Sequence, residues 1–209
     1  MSWLTDADRR LIGLTWLVKL AILVVGAVAY VAFRNGSIND PRDLLQIWSH
    51  WDAPHYLDLI VFGYRATDAG DLVGPNGYRS IYPGDLPLYI VFYPLFPWLG
   101  SIVNFLVGDP LASAFVVTTV ASMFVAPLLH RLVRHDEEPA VALRAAWFLL
   151  IFPTAYFLHI GYTEALFMAL VLGSFLAART ERWWLAGALG GLAALTRANG
   201  LILIPALAA

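Results

Sequence analysis

Cysteine is absent from all 209 residues, which excludes disulfides, thiolate metal sites and a cysteine nucleophile. Charge is scarce too. Only 13% of residues are charged, against about one quarter in an ordinary soluble domain. The net charge is −2, and no basic face points to nucleic acid. The sequence has no Walker-type glycine loop, no His-Glu-x-x-His zinc pair and no Gly-x-Ser-x-Gly elbow, so ATP, zinc and serine hydrolysis have no support. It also has no internal repeat and no low-complexity linker.

Apolar sequence is what the chain has in quantity. Hydrophobic residues make up 60% of it and mean hydropathy is +0.70. Several apolar runs approach the length a bilayer core requires. Eight Trp and nine Tyr fit a protein with two lipid–water interfaces. The fold expected is an all-α, polytopic membrane helical bundle with five spanning helices near 12–33, 112–133, 141–158, 163–179 and 183–207. Arg9 and Arg10 ahead of an apolar stretch, with Ala27-Val28-Ala29, imitate a secretory signal. The run continues to Phe33, however, so an uncleaved first helix is expected, with Lys19 snorkelling back to the headgroups.

The apolar segment 87–107 is read differently, because Pro87, Pro94 and Pro97 interrupt its first half and proline disrupts a helix interior. It is expected to be juxtamembrane or re-entrant. Arg9, Arg10, Lys19, Arg131, Arg134, Arg144, Arg179 and Arg182 then share one side, and Arg34, Arg42, Arg65 and Arg79 the other. That is the positive-inside pattern with a cytoplasmic N-terminus. It leaves a long outer loop, 35–111, rich in Asp, Gly, Pro and aromatics, where function is expected. The chain reads as a single transmembrane domain over 1–209, and its end inside an apolar stretch reads as the amino-terminal part of a larger one.

Three polar groups stand out against this background. Asp52, in Trp51-Asp52-Ala53-Pro54-His55-Tyr56, opens a short amphipathic stretch. It is either the N-cap of that helix or a general base just outside the lipid, and the two roles are compatible. Trp51 and Tyr56 would anchor this helix at the interface, and His55 alone reads as a polar surface residue. Glu164, in Tyr162-Thr163-Glu164, lies at the outer end of a span. A carboxylate there is costly unless paired or wet, although a first-turn acid or a capping contact with Thr163 also explains it. Arg197, in Thr196-Arg197-Ala198-Asn199-Gly200, lies within an apolar segment, where Asn199 and Gly200 suggest a local break in the helix. It either snorkels to headgroups or offers its planar fork to a phosphate. Tyr93-Pro94-Leu95-Phe96-Pro97-Trp98 reads as an interfacial anchor or as the wall of a lipid groove. Gly187 and Gly191 read as close helix packing.

These residues, with Gly63-Tyr64, Pro153-Thr154-Ala155-Tyr156-Phe157 and Leu195, resemble the PIG-V-type mannosyltransferases of the GT-C superfamily. The resemblance runs in order from about residue 48 onward, with Ala53 where many members have glycine. It implies a GT-C-like fold whose long first outer loop carries two juxtamembrane helices. It also implies an inverting transfer of mannose from a polyprenyl or dolichyl phosphate to a hydroxyl of a glycan or protein acceptor. Asp52 would take the acceptor proton, Arg197 would stabilise the leaving phosphate, and Glu164 would position the acceptor or orient Arg197. His55, Tyr56 and Tyr162 would join Arg197 in binding substrate. No metal or other cofactor is implied, nor any nucleic-acid partner. The location implied is multi-pass in a prokaryotic plasma membrane, or in the endoplasmic reticulum of a eukaryote. Family members carry more spans than this chain. Transfer of another lipid-linked sugar, or a non-catalytic scaffold or transporter, are the alternatives.

Overall fold

The computed structural model of the chain describes residues 4–34, 36–64, 73–80 and 91–208. Arg65, Pro87 and the start of the apolar segment expected over 87–107 lie outside the described residues. The described elements are helical, with one isolated antiparallel bridge, Val73 to Arg79.

Helix α1, Asp6–Arg34, opens on a capping box. Asp8 Oδ2 accepts from Thr5 N at 2.8 Å, and Thr5 Oγ1 accepts from Asp8 N at 3.2 Å. Asp8 is fully buried because Arg131 grips it bidentately, with Nε at 3.1 Å and Nη2 at 2.5 Å. That pair ties the start of α1 to the last turn of α5, Pro110–Val133. Both helices are long and apolar enough to cross a membrane. The outward side of α1, with Leu17, Val24, Val25, Val28 and Phe33, stays exposed. An apolar stripe of that length fits lipid contact.

Two short helices, α2 (Asp43–Gln46) and α3 (Ala53–Phe62), follow α1. Helix α4, Leu95–Val107, starts directly after Pro94 and ends at Gly108, whose φ of +73° supplies the left-handed turn into α5. Helices α3 and α4, which lie between α1 and α5 in the chain, pack against one another. The main core lies where they meet α5 and the 160–162 turn, around Tyr56, Leu57, Ile60, Phe96, Phe115 and Tyr162. Tyr56 is therefore a core residue and not the interfacial anchor expected. Asp58, also buried, accepts from Tyr78 Oη at 2.8 Å and Ser80 Oγ at 2.5 Å, tying the 73–80 segment onto α3.

Helix α6, Pro139–Ile151, is shorter than the span expected over 141–158. Phe152 precedes Pro153 and is extended (φ −61°, ψ 138°), as the proline ring requires, and a 3₁₀ turn covers Pro153–Leu158. Helix α7, Glu164–Arg179, matches its expected span closely. Small residues on α5 and α6, Ala126, Ala142 and Ala146, are buried and let these helices approach α1 and one another.

The stretch expected as one span over 183–207 is broken at Ala198–Ile202, where Asn199 and Gly200 suggested a local break. Helix α8, Trp183–Ala194, stops before an extended Arg197, a 3₁₀ turn covers Ala198–Ile202, and α9 spans Leu203–Ala208. A Cβ on Gly190 would meet Leu207 at 3.6 Å and Leu203 at 3.8 Å, so the chain turns back along α8. The reversal needs glycine at position 200, where a Cβ would lie 2.4 Å from the Ala194 backbone. Gly190 makes this close packing, whereas a Cβ on Gly187 or Gly191 would meet nothing within 4 Å. Two full-length helices and shorter apolar ones, α4, α6 and α8, are consistent with an all-α membrane protein.

Lys19 corrects a further expectation. It is 4% exposed and donates from Nζ to the His159 carbonyl at 2.6 Å. The ammonium turns inward to a carbonyl that has just left helical geometry, instead of reaching for the headgroups.

Candidate active site

The break after α8 brings Arg197 to the start of α7. Arg197 Nη1 donates to Glu164 Oε1 at 2.5 Å and to Thr163 Oγ1 at 2.9 Å. The pair is partly open, with the Arg197 and Glu164 side chains 38% and 32% exposed. Glu164 Oε2 is buried and has no hydrogen-bond partner among the described residues. Glu164 begins α7, where the helix dipole favours a carboxylate. Thr163 holds the N-cap position but makes no cap; its hydroxyl serves Arg197. Arg197 is thus paired with the head of α7. The backbone N–H of Leu95, at the start of α4, donates to the Leu195 carbonyl at 2.9 Å and fixes the break from the other side.

Beside this pair lies a cavity of about 550 Å³. Its walls come from α6, the 153–158 turn and α7, and include Phe148, Phe152, Phe157, Leu158, Phe167 and Met168. Glu164, Arg197 and Asn199 supply its polar rim. The Tyr93–Trp98 motif does not wall this cavity. Phe96 is fully buried against Tyr56, with ring centroids 5.3 Å apart.

Asp52 sits ahead of α3 with an exposed side chain. Its carboxylate does not cap the helix and makes no hydrogen bond or ion pair among the described residues. The capping role expected for it is not present, because Asp52 has helical backbone angles (φ −78°, ψ −16°) and not the extended ones a cap adopts. Trp51 before it has φ +47°, an uncommon conformation for a bulky side chain. The buried Tyr162 hydroxyl donates to the His50 carbonyl, and Thr118 Oγ1 donates to the Tyr162 carbonyl at 2.9 Å. Residues 50–52 are thereby pinned to the turn that leads into Glu164.

Electrostatics joins these parts. Burial pushes the Tyr56 hydroxyl up to about 12; hydrogen bonding to Thr163 and the Arg197 charge oppose the rise, and the Asp52 and Glu164 charges add to it. Tyr162 is likewise pushed up, first by burial and then by Asp52. Both tyrosines therefore lie within the field of both carboxylates. Of the six expected site residues, the structure joins Glu164 and Arg197 directly, and Asp52 and these two charges all act on Tyr56 electrostatically. His55 turns its ring onto Phe92, with centroids 5.1 Å apart. Tyr162 has its hydroxyl engaged on His50, so it positions neighbouring groups. Thr163 is a member that sequence reasoning missed; its position beside Glu164 was the available signal. Among the described residues no three His, Asp or Glu groups converge to hold a metal ion.

The arrangement offers a carboxylate free to take a proton, an arginine held ready for an anion, and an apolar cavity beside it. Comparison with known proteins gives the family. The model of glycosyltransferase family 87 matches residues 82–209. "GPI alpha-1,6-mannosyltransferase 2" of Mus musculus is 34% identical over 158 residues, covering 74% of this chain and 29% of that protein. The protein of the same name from Rattus norvegicus is 32% identical over 173 residues, covering 80% of this chain and 32% of that protein. The chain thus spans less than a third of the length of these curated relatives. No solved structure matches it. The chain belongs to glycosyltransferase family 87.

Proposed function

We propose that this chain carries the catalytic face of a PIG-V-type, GT-C-like mannosyltransferase that is embedded in a membrane. The donor is a polyprenyl- or dolichyl-phosphate mannose and the acceptor a hydroxyl on the outer face. The single observation that carries the reading is the Glu164–Arg197 pair on the rim of the apolar cavity. A lipid-linked sugar has that same division, an apolar tail joined to an anionic head.

In this reading the isoprenoid tail lies against Phe148, Phe152 and Phe167, and its phosphate meets the open edge of Arg197. Asp52 removes the proton from the acceptor hydroxyl. The acceptor oxygen bonds to C1 of the mannose as the bond from C1 to phosphate oxygen breaks, and the configuration at C1 inverts. The lipid phosphate leaves as an anion and needs no acid. Charge stabilisation is what it needs, and preorganised donors supply it. Glu164 holds Arg197 in place through Oε1.

Transfer from radiolabelled polyprenyl-phosphate-mannose in membranes tests this, using the protein extended to its natural length. Asp52→Asn is expected to lower transfer roughly a hundred- to ten-thousandfold. Equal transfer by both proteins removes Asp52 as the base. A donor panel separates mannose from other lipid-linked sugars, and a scaffold or transporter would lose nothing on Asp52→Asn.

A further inference from the structure

Aromatic rings from two distant parts of the chain meet next to Asp52. The Trp51 and Phe157 rings have centroids 6.1 Å apart. Phe157 stacks on Tyr156 at 4.2 Å and meets Tyr162 edge-on at 5.6 Å. Trp48 closes the group, with its ring 6.0 Å from Tyr156. Most of these rings are at least partly buried, but Trp51 is 66% exposed. It is also held at φ +47°, a conformation that persists in a bulky residue only where its surroundings enforce it, and one that clusters at binding sites.

Phe157 touches Trp51 and also lines the apolar cavity. The order in space is therefore cavity, Phe157, Trp51, with Asp52 the next residue in the chain. An exposed indole face beside a free carboxylate suits one ligand chemistry, a pyranose ring. Its C–H face packs on the aromatic surface and one hydroxyl meets the Asp52 carboxylate.

We propose that Trp51, backed by Phe157, is the platform that seats a sugar ring of the acceptor and so sets acceptor affinity. This rests on Asp52 being the base, because the ring on Trp51 is the one whose hydroxyl Asp52 reaches. The donor's mannose is the other pyranose in the reaction, and the test separates the two.

The experiment compares wild type, Trp51→Leu and Trp51→Phe at natural length in membranes, varying donor and glycan acceptor independently. Leucine keeps apolar bulk for an interfacial anchor but has no ring face; phenylalanine keeps the face. Trp51→Leu is expected to raise the acceptor KM roughly tenfold, the scale of one aromatic contact, with donor KM and kcat held. Trp51→Phe should stay within about threefold of wild type. An unchanged acceptor KM in Trp51→Leu, an equal rise in both variants, or a rise in donor KM alone would each overturn the platform. If wild type transfers nothing from this donor, saturation-transfer NMR with a mannose disaccharide on the purified protein reads the platform directly. Signal on the ring C–H protons that Trp51→Leu abolishes keeps the platform and retires the donor assignment. Absence of signal removes the platform.

Discussion

Arg197 reaches across 33 positions of sequence to place Nη1 2.5 Å from Glu164 Oε1. The same nitrogen donates to Thr163 Oγ1, so the position of the guanidinium is set by two residues at the head of α7. A phosphate arriving from the cavity would meet the remaining N–H groups of the fork.

That geometry predicts that lysine does not replace arginine. A lysine ammonium is a compact point charge and cannot serve Thr163, Glu164 and a phosphate in one plane. Arg197→Lys and Arg197→Ala are both expected to lower kcat by about a hundred- to a thousandfold, the scale of losing a preorganised donor. Glu164→Gln should lower it less, because the amide still accepts from Nη1. Steady-state kinetics with the lipid-linked donor checks the order, and full activity of Arg197→Lys would contradict it.

Asp52 and Asp109 separate activity from stability. Asp109 caps α5 by accepting from Ala112 N at 2.8 Å, and it pairs with Arg42 at 2.8 Å. Asp109→Ala is expected to cost about 1 kcal/mol, the usual value of a lost cap. Asp52→Asn removes no cap and no ion pair, so the melting temperature in detergent should not move while transfer collapses. A fall in melting temperature for Asp52→Asn alone would return Asp52 to a structural role.

Lys19 gives a stability prediction opposite to that of a snorkelling lysine. Lys19→Met keeps most of the volume but leaves the buried His159 carbonyl without its donor, which costs about 1–3 kcal/mol. The 153–158 turn beside it lines the cavity, so donor KM should rise as well. Thermal unfolding and donor titration test this, and a Lys19→Met protein indistinguishable from wild type would show that the inward bond contributes nothing.

Tyr56 sets a limit at alkaline pH. Its folded value, about 12, lies above the ordinary value of 10.0, chiefly because burial disfavours the phenolate. The stability this contributes is fully present below about pH 10 and is lost as pH rises toward 12. Alkaline unfolding should therefore soften in Tyr56→Phe, and no inflection from Tyr56 should appear in the pH–rate profile near neutrality. Both are read by melting curves and rates from pH 7 to 12.

The class of fold was legible in composition and periodicity, because few charges and long apolar runs leave helices as the means of satisfying the backbone in lipid. Helices α1, α5 and α7 lie close to where apolar length placed them. The segment 183–207 did not follow as one span: Asn199 and Gly200 marked a local break, but not that Gly200 lets the chain turn back on α8. The juxtamembrane reading of 87–107 came from its prolines, and Pro94 does stand at the start of α4.

The sequence by itself determined the residue types: two acids and an arginine that an apolar chain keeps only at a cost, and no cysteine. Tertiary structure decided what each touches. It turned Lys19 inward to a carbonyl, placed Tyr56 in the core, and withheld the cap expected of Asp52. It also joined Arg197 to Glu164 across a break that Asn199 and Gly200 mark only locally. The physical reason is range. Apolar length and proline act within a few residues, whereas an ion pair between α7 and the end of α8 exists only once packing has brought those ends together.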